Sequence, residues 1–358
     1  PPPPPLFFFH PYPGTPAPLW AGGLGDVFKS QKSTRDHDSL FRNNGDGTFE
    51  DVSQRSGIAR DPEPGPKWGM GIAVCDFNND GWPDIYLAND VSDNFLFENQ
   101  KDGTFKNIAT EAMAAVGLDG AEQGSMGVDA GDFDGDGSFD LIVTNYHKQL
   151  NALYHNEGKF GFSDQALSRG LGDSTLPMVS WGTRMLDYDN DGQLDLFIAN
   201  GHLEDQIDRY DQSSEYRQRN QLYRGENKRF TEITKGGGSG LREKLSSRGA
   251  AFGDIDNDGY ADPYLANMYS KAGERVVANL PPDVYAPDVD VQLRDFVAGS
   301  DLYRNTDGKG FQRIGRTAGV ADVGWAYGPA YVDLDNDGRL DLYAPCGFQS
   351  VTRKRPDG

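Results

Sequence analysis

Two cysteines, Cys75 and Cys346, are too few among 358 residues for a disulfide framework, and neither has metal-ligand spacing. They stand at different places within their repeats, so buried free thiols are the expectation. Basic residues are also short: 34 Lys and Arg face 55 Asp and Glu, for a net charge of −21. That deficit excludes nucleic acid or an anionic membrane as a partner, because either needs a cationic surface to displace counterions. No apolar run approaches the roughly 18 residues of a membrane span, and no charged n-region with a cleavage site opens the chain. A mature soluble product or a fragment of one, without membrane insertion, is therefore expected. No GxSxG elbow, HExxH pair, GxxxxGK[ST] loop or dinucleotide fingerprint occurs. The run Gly236-Gly237-Gly238-Ser239-Gly240 lacks the lysine and preceding strand of a phosphate loop and reads as a flexible connection.

What is abundant is glycine, at 45 residues, together with 20 Phe and 16 Tyr. This composition predicts many short strands joined by tight turns, an all-β chain. One nine-residue pattern recurs five times, starting at Asp76, Asp132, Asp187, Asp254 and Asp333, with spacings of 56, 55, 67 and 79 residues. Five residues before each start stands Gly71, Gly127, Gly182, Gly249 or Gly328. Five residues after the last Asp stands Asn89, Asn145, Asn200 or Asn267, until Cys346 breaks the series. Each repeat has a second half, Leu96-Phe97-Glu98-Asn99, Leu153-Tyr154-His155-Asn156, Leu222-Tyr223-Arg224-Gly225 and Leu302-Tyr303-Arg304-Asn305. A Gly-containing turn then leads to Phe105, Phe160, Phe230 or Phe311, which reads as a hairpin. An extra copy of this half, Leu40 to Phe49, precedes the first acidic loop. Four strands per repeat predict the blades of a β-propeller, six favoured over seven, with the acidic loop joining the first strand to the second. The repeated glycine would let neighbouring inner strands approach closely. The N-terminal segment is expected to close the last blade.

The loops are rich in oxygen. Positions 1, 3, 5 and 9 are Asp76, Asn78, Asp80 and Asp84; Asp132, Asp134, Asp136 and Asp140; Asp187, Asp189, Asp191 and Asp195; Asp254, Asp256, Asp258 and Asp262; Asp333, Asp335, Asp337 and Asp341. Position 7, Trp82, Ser138, Gln193, Tyr260 or Arg339, would offer its backbone carbonyl, and position 6 is always glycine. About six oxygens in a flexible loop suit calcium better than magnesium, and the lack of soft ligands argues against zinc or copper. An EF-hand is excluded, since position 12 is Leu87, Val143, Ile198, Leu265 or Ala344 rather than Glu and the flanks are β-like. The alternative, acidic Asx turns without metal, explains one copy better than five. The loops hold 19 of the 55 acidic residues, and five bound calcium ions would change the charge from −21 to −11. Mutual repulsion of the empty carboxylates predicts that calcium also contributes to folding.

These loops resemble the FG-GAP repeats of integrin α-chain propellers. They resemble more closely the secreted bacterial FG-GAP/VCBS repeat proteins related to cartilage acidic protein, the ASPIC/UnbV group. The closer likeness rests on Leu40 to Phe49, Met126 to Asp132, Trp181-Gly182-Thr183, Ala199-Asn200-Gly201-His202 and Gln218 to Leu222, and covers residues 38 to 345. It implies a calcium-dependent propeller, usually extracytoplasmic, with binding or adhesive roles, and it implies no reaction.

The expected organisation is a proline-rich segment at 1–21, where Pro1 to Pro5 and Leu6 to His10 read as a spacer and an edge strand, then a propeller at 22–350 and a tail at 351–358. Asp26 is a candidate remnant of a further acidic loop. Two loops are candidate recognition surfaces for protein or carbohydrate: the insertion at 268–300, with Pro281 to Pro287, and the stretch Leu203 to Gln218. His147 and His202 each stand seven residues past the last Asp of their loops and are expected to position loops by hydrogen bonding. The leading functional expectation is a secreted or periplasmic calcium-binding module, as an adhesive element, a scaffold or a subunit of a larger assembly; the sequence sets no oligomeric state. The alternative is a polysaccharide lyase or hydrolase working on the central face, for which His147, His202 and Arg184 would have to gather.

Overall fold

The computed structural model describes residues 7–8, 38–59, 68–268, 299–324 and 326–345, with single positions 277, 279, 289 and 297. A first sheet holds β1 (Phe7–Phe8), β2 (Leu40–Asn43) and β3 (Phe49–Asp51). Four complete four-stranded blades follow. They comprise β4 (Trp68–Cys75), β5 (Asp84–Asp90), β6 (Phe95–Asn99) and β7 (Phe105–Asn107); then β8 (Val128–Gly131), β9 (Asp140–Val143), β10 (Ala152–Asn156) and β11 (Phe162–Asp164). The third comprises β12 (Ser180–Leu186), β13 (Asp195–Asn200), β14 (Gln221–Glu226) and β15 (Arg229–Glu232), and the fourth β16 (Ser247–Gly253), β17 (Asp262–Asn267), β18 (Asp301–Asn305) and β19 (Phe311–Arg313). A two-stranded sheet of β20 (Ala330–Val332) and β21 (Asp341–Tyr343) comes last. Every pairing is antiparallel between consecutive strands, and β1 pairs with β2 in the first sheet. The chain is thus all-β and propeller-like, with the acidic loops joining first to second strands.

Burial within each blade follows from its place in the stack. The second strands β9, β13 and β17 are buried at every residue because a neighbouring blade covers each face. The fourth strands are short and half-exposed, with charged residues such as Lys106 and Arg229 on the edge. Apolar clusters lie between successive blades rather than within one. Tyr86 and Leu96 of one blade pack with Leu141, Tyr154 and Phe162 of the next. Ile142 and Leu153 meet Leu196, Tyr223 and Phe230, and Phe197 and Leu222 meet Leu265, Tyr303 and Phe311.

The repeated inner-strand glycine explains how blades come so near. A Cβ on Gly127 would lie 1.9 Å from the carbonyl oxygen of Trp181, and one on Gly249 would lie 1.8 Å from that of Tyr327. On Gly71 it would lie 2.5 Å from the Met126 oxygen, and on Gly182 it would lie 2.7 Å from the Ala250 nitrogen. Gly328, at the end of the array, has nothing within 4 Å. The repeated asparagines are buried and fasten the connection between second and third strands. Their side-chain amides donate to Asp93 O, Leu150 O, Arg219 O and Gly299 O at 2.7, 2.7, 2.9 and 3.0 Å.

Two expectations are corrected. The aromatic that opens the fourth strand of the second blade is Phe162, fully buried, whereas Phe160 lies in the preceding turn with φ 59. The turn there matches those of the first and fourth blades, with five residues between Asn156 and Phe162 as between Asn99 and Phe105 and between Asn305 and Phe311, and it closes through Glu157 N–H to Gly161 O at 2.7 Å. The glycine run is packed rather than flexible: Phe311 N–H donates to Gly237 O at 2.9 Å, and a Cβ on Gly240 would meet the Tyr303 ring at 2.5 Å. Cys75 is a free, half-buried thiol, which burial pushes up to about 11. Cys346, Asp26 and most of the 268–300 insertion fall outside the described residues.

Replacing Gly127 or Gly249 by Ala is expected to cost about 3 kcal/mol, the upper range for overpacking, because the obstacle is backbone. Gly328→Ala should stay within about 0.5 kcal/mol. Urea unfolding of the three variants measures the contrast; equal costs at Gly127 and Gly328 would contradict the inner-strand contact.

Candidate metal centres

Each acidic loop folds on its own carboxylates. The position 1 side chain accepts the backbone N–H of position 5 on one oxygen and that of position 6 on the other. The distances are 2.9 and 2.6 Å for Asp76, 3.0 and 2.9 Å for Asp132, and 3.0 and 2.8 Å for Asp187. Asp254 and Asp333 repeat the pair at 3.1 and 2.9 Å. The position 5 residues Asp80, Asp136, Asp191, Asp258 and Asp337 accept the N–H of Trp82, Ser138, Gln193, Tyr260 and Arg339 at 2.8 to 3.0 Å. Such a turn needs left-handed backbone at position 6, where the glycines have φ between 84 and 90. Position 4 is left-handed too, and is Asn79, Asn190, Asn257 or Asn336, or Gly135, the residue types that tolerate it.

The position 9 carboxylate is the anchor. Asp84, Asp140, Asp195 and Asp262 are fully buried. Each accepts the N–H of loop position 2, from Phe77, Phe133, Tyr188 or Ile255, at 2.9 to 3.3 Å. Each also accepts an N–H from the third strand, from Asn99, Asn156, Gly225 or Asn305, at 2.7 to 2.9 Å. Burial outweighs these bonds and raises the carboxyls, Asp84 and Asp195 to about 7, Asp140 and Asp262 to about 6. Asp341, in the last sheet, accepts Leu334 N–H at 3.0 Å and is exposed.

Four of the five loops bring carboxylates together. Asp187, Asp189 and Asp195 have ligand atoms within 4.8 Å of one another, as do Asp254, Asp256 and Asp262, and Asp333, Asp335 and Asp341. In the second loop the groups are Asp132, Asp134 and Asp136, and Asp134 and Asp140 with His155. The first loop, with Asn78 at position 3, forms no such group among the described residues; there Asn78 Nδ2 donates to Asp80 Oδ2 at 2.9 Å, and Lys101 lies 3.1 Å from that oxygen.

The test of fit is whether an inward oxygen is left over. Asp134 Oδ1 and Asp189 Oδ1 are buried without a hydrogen-bond partner, and the Asp134 side chain is 5% exposed. Their other oxygens face cations: Arg224 lies 2.7 Å from Asp189 Oδ2, and Arg169 and Lys228 lie 3.6 and 3.5 Å from Asp134 Oδ2. Arg304 pairs likewise with Asp256 at 2.5 Å, and His155 Nδ1 meets Asp140 at 3.0 Å. A spare buried carboxylate oxygen among other hard oxygens fits a hard cation. His155, Arg224 and Arg304 share one place in the third strand, a basic residue at a fixed offset in three of four copies, which is the signal sequence reading passed over.

On the opposite side, His147 and His202 lie with ring centroids 5.5 Å apart. Both position loops: His147 Nε2 lies 3.2 Å from Ser213 Oγ, and His202 Nδ1 accepts Glu204 N–H at 3.0 Å. Arg184 is not with them; it pairs with Asp129 at 3.2 Å. Leu203 to Gln218 packs on the neighbouring connection, with Ser214 Oγ and Gln218 Nε2 donating to Pro177 O at 2.7 and 3.0 Å. Among the described residues, no helix is long and apolar enough to cross a membrane.

Stacked antiparallel blades that share one acidic first loop define the class of FG-GAP repeat propellers. The FG-GAP-like repeat family matches residues 23–87, 76–143, 132–198 and 187–264, and the chain belongs to it. It is 34% identical to cartilage acidic protein 1 of Xenopus tropicalis over 134 residues, 37% of this chain and 20% of that protein. It is 29% identical to the Homo sapiens protein of that name over 154 residues, 42% of this chain and 21% of that one. The chain thus spans about a fifth of the length of these relatives. Among solved structures, it is similar to an Agrocybe aegerita lectin described as recognising non-reducing terminal N-acetylglucosamine (14% identity, 78% of this chain and 73% of that one, TM-score 0.33). It is also similar to a Bacillus licheniformis rhamnogalacturonan lyase (13% identity, 87% and 64%, TM-score 0.37).

The raised carboxyls set a pH dependence for the chain without bound metal. Their folded values lie above the unfolded value of about 3.9, so folding takes up protons between about pH 4 and 7. This contribution is full below the unfolded value and lost as pH rises through 6 to 7. Without metal, the urea midpoint should be higher at pH 5.5 than at pH 8; a hard cation held by these carboxyls would reverse the order at saturating concentration, since protons would then compete with it. A calcium-free midpoint that falls on acidification to pH 5.5 would contradict the assignment.

Proposed function

We propose that the chain is a secreted, calcium-binding β-propeller of six blades that acts as a binding or structural module, holding about five calcium ions. The observation that carries this reading is the convergence of carboxylates in four loops, two of which leave a buried aspartate oxygen without a partner. In each loop the metal ligands are the side chains at positions 1, 3, 5 and 9 and the backbone carbonyl at position 7, Asn78 serving in the first loop. Calcium modules of this kind bind with Kd of about 10⁻⁴ to 10⁻³ M, which suits an extracellular or periplasmic location.

Support for six blades, one for each sheet, comes from two inner-strand surfaces left open. Trp68, Met70, Ile72 and Val74 on β4 are 40 to 47% exposed, and Val332, Leu334, Leu340 and Tyr343 around β20 and β21 are 39 to 66% exposed. Equivalent faces elsewhere are covered by a neighbouring blade, so these are the surfaces on which ring closure acts. Protein or carbohydrate partners would engage the rim loops, among them Leu203 to Gln218.

Calcium at twenty times its Kd should add about 1.8 kcal/mol of stability per site. Asp134→Asn should remove about that increment and lower the ion count by one in native mass spectrometry. Its calcium-free stability should be unchanged or higher, since a buried carboxylate with a spare oxygen is lost. Coincident melting curves in calcium and in chelator would overturn the reading.

A further inference from the structure

At the ends of the inner strands remote from the acidic loops, side chains of three blades gather about the main chain of Gly201 and His202. Trp181 Nε1 donates to Gly201 O at 2.8 Å. Arg248 Nη1 donates to Gly201 O and Ser247 O, both at 2.8 Å, and its Nη2 donates to His202 O at 3.1 Å. The guanidinium lies over the Trp181 ring, 4.4 Å from its centroid, and the His202 ring lies 5.7 Å from Tyr146.

Ser246 joins the cluster through its main chain, whose Cα would lie 2.6 Å from a Cβ on Gly201, and three polar atoms here are buried without a hydrogen-bond partner: His202 Nε2, Arg248 Nε and Ser246 Oγ. Because His202 Nδ1 accepts the Glu204 N–H, the neutral ring carries its hydrogen on Nε2. Burial keeps it neutral, pulling His202 down to about 4. His202 and Arg248 are each 1% exposed, and their spare atoms are donors; the Ser246 hydroxyl can donate as well. Burial also lowers Arg248, to about 10, which leaves it cationic at neutral pH. Among the described residues no carboxylate pairs with it, so carbonyls are its only polar partners and its charge is uncompensated. Nearby acids are otherwise placed: Asp211 pairs with Lys148 at 2.6 Å beside His147, and Glu204 and Asp90 act on Tyr146.

We propose that this cluster is a carboxylate-binding site, in which a ligand carboxylate accepts hydrogen bonds from His202 Nε2, Arg248 Nε and Ser246 Oγ and neutralises the buried guanidinium. Charge-assisted bonds to a planar guanidinium suit a carboxylate better than a neutral hydroxyl or a spherical anion. An acidic sugar and an acidic amino-acid side chain share this group. The site is independent of the metal loops, which lie at the other ends of the strands.

Isothermal titration of the calcium-loaded chain tests it, with sodium glucuronate and N-acetyl-glutamate α-amide as ligands, and glucose and sodium chloride at matched ionic strength as controls. Saturable heat is expected with at least one carboxylate and with neither control; whichever carboxylate binds identifies the source. His202→Gln and Arg248→Gln should each weaken binding about tenfold or more, while Leu118→Ser, on an exposed loop, should not. If Arg248→Gln does not fold, the wild-type chain and His202→Gln decide. No saturable heat with either carboxylate, an equal response to chloride, or wild-type affinity in folded His202→Gln overturns the proposal.

Discussion

A buried carboxylate at the ninth place of each acidic loop joins the candidate metal centre to the sheet that carries it. Asp195 shows the arrangement: one oxygen takes the N–H of Tyr188 inside the loop, and the other takes that of Gly225 on the third strand. Loop, second strand and third strand are thereby fixed to one atom group. Burial opposes the charge of that group, and two main-chain donors favour it without cancelling the cost. An adjacent cation would complete the balance, which ties metal affinity to blade integrity rather than to loop shape alone. The coupling also reaches across blades, since Asn305 Nδ2 donates to the Tyr188 carbonyl within the preceding blade's loop at 2.8 Å.

Much of this was legible in the sequence because it repeats. The five aspartate series, the glycine five residues upstream and the asparagine five residues downstream each proved to occupy one structural place. The physical cause is that each answers a backbone requirement, a left-handed turn, a close carbonyl or an uncapped connection, and backbone requirements recur whenever the blade recurs. Phe160 failed because the hairpin register places the opening aromatic six residues after the third-strand asparagine, Phe105 after Asn99 and Phe311 after Asn305, and that position after Asn156 is Phe162. The glycine run at 236–240 failed because its packing partner, Phe311, lies more than 70 residues away in sequence.

The side-chain partners of the loops were harder to read for a related reason. Arg224, Arg304 and His155 reach carboxylates about 15 to 48 residues upstream in sequence, and only the register between second and third strands brings them there. A strand alternates faces at every residue, so a basic residue at a fixed hairpin offset points to the same side in each blade. That periodicity was visible; its target was not, because the target depends on a pairing that no local signal specifies.

The two ends of the inner strands obey different constraints. Toward the acidic loops every blade must satisfy the same turn, and the residues are nearly identical. At the other end, the residue just before the repeated glycine is Met70, Met126, Trp181, Arg248 or Tyr327, alike in position and unlike in chemistry. The backbone there is already held by the glycine contact, as in Gly127 against the Trp181 carbonyl, so the side chain is free to differ. A scaffold that fixes backbone with repeated residues and leaves one position per blade unconstrained can bring unlike side chains together near its axis. Arg248 stacked on Trp181 is such a gathering: the two residues share a repeated position and differ in chemistry, so the repeat marks the place without specifying what meets there.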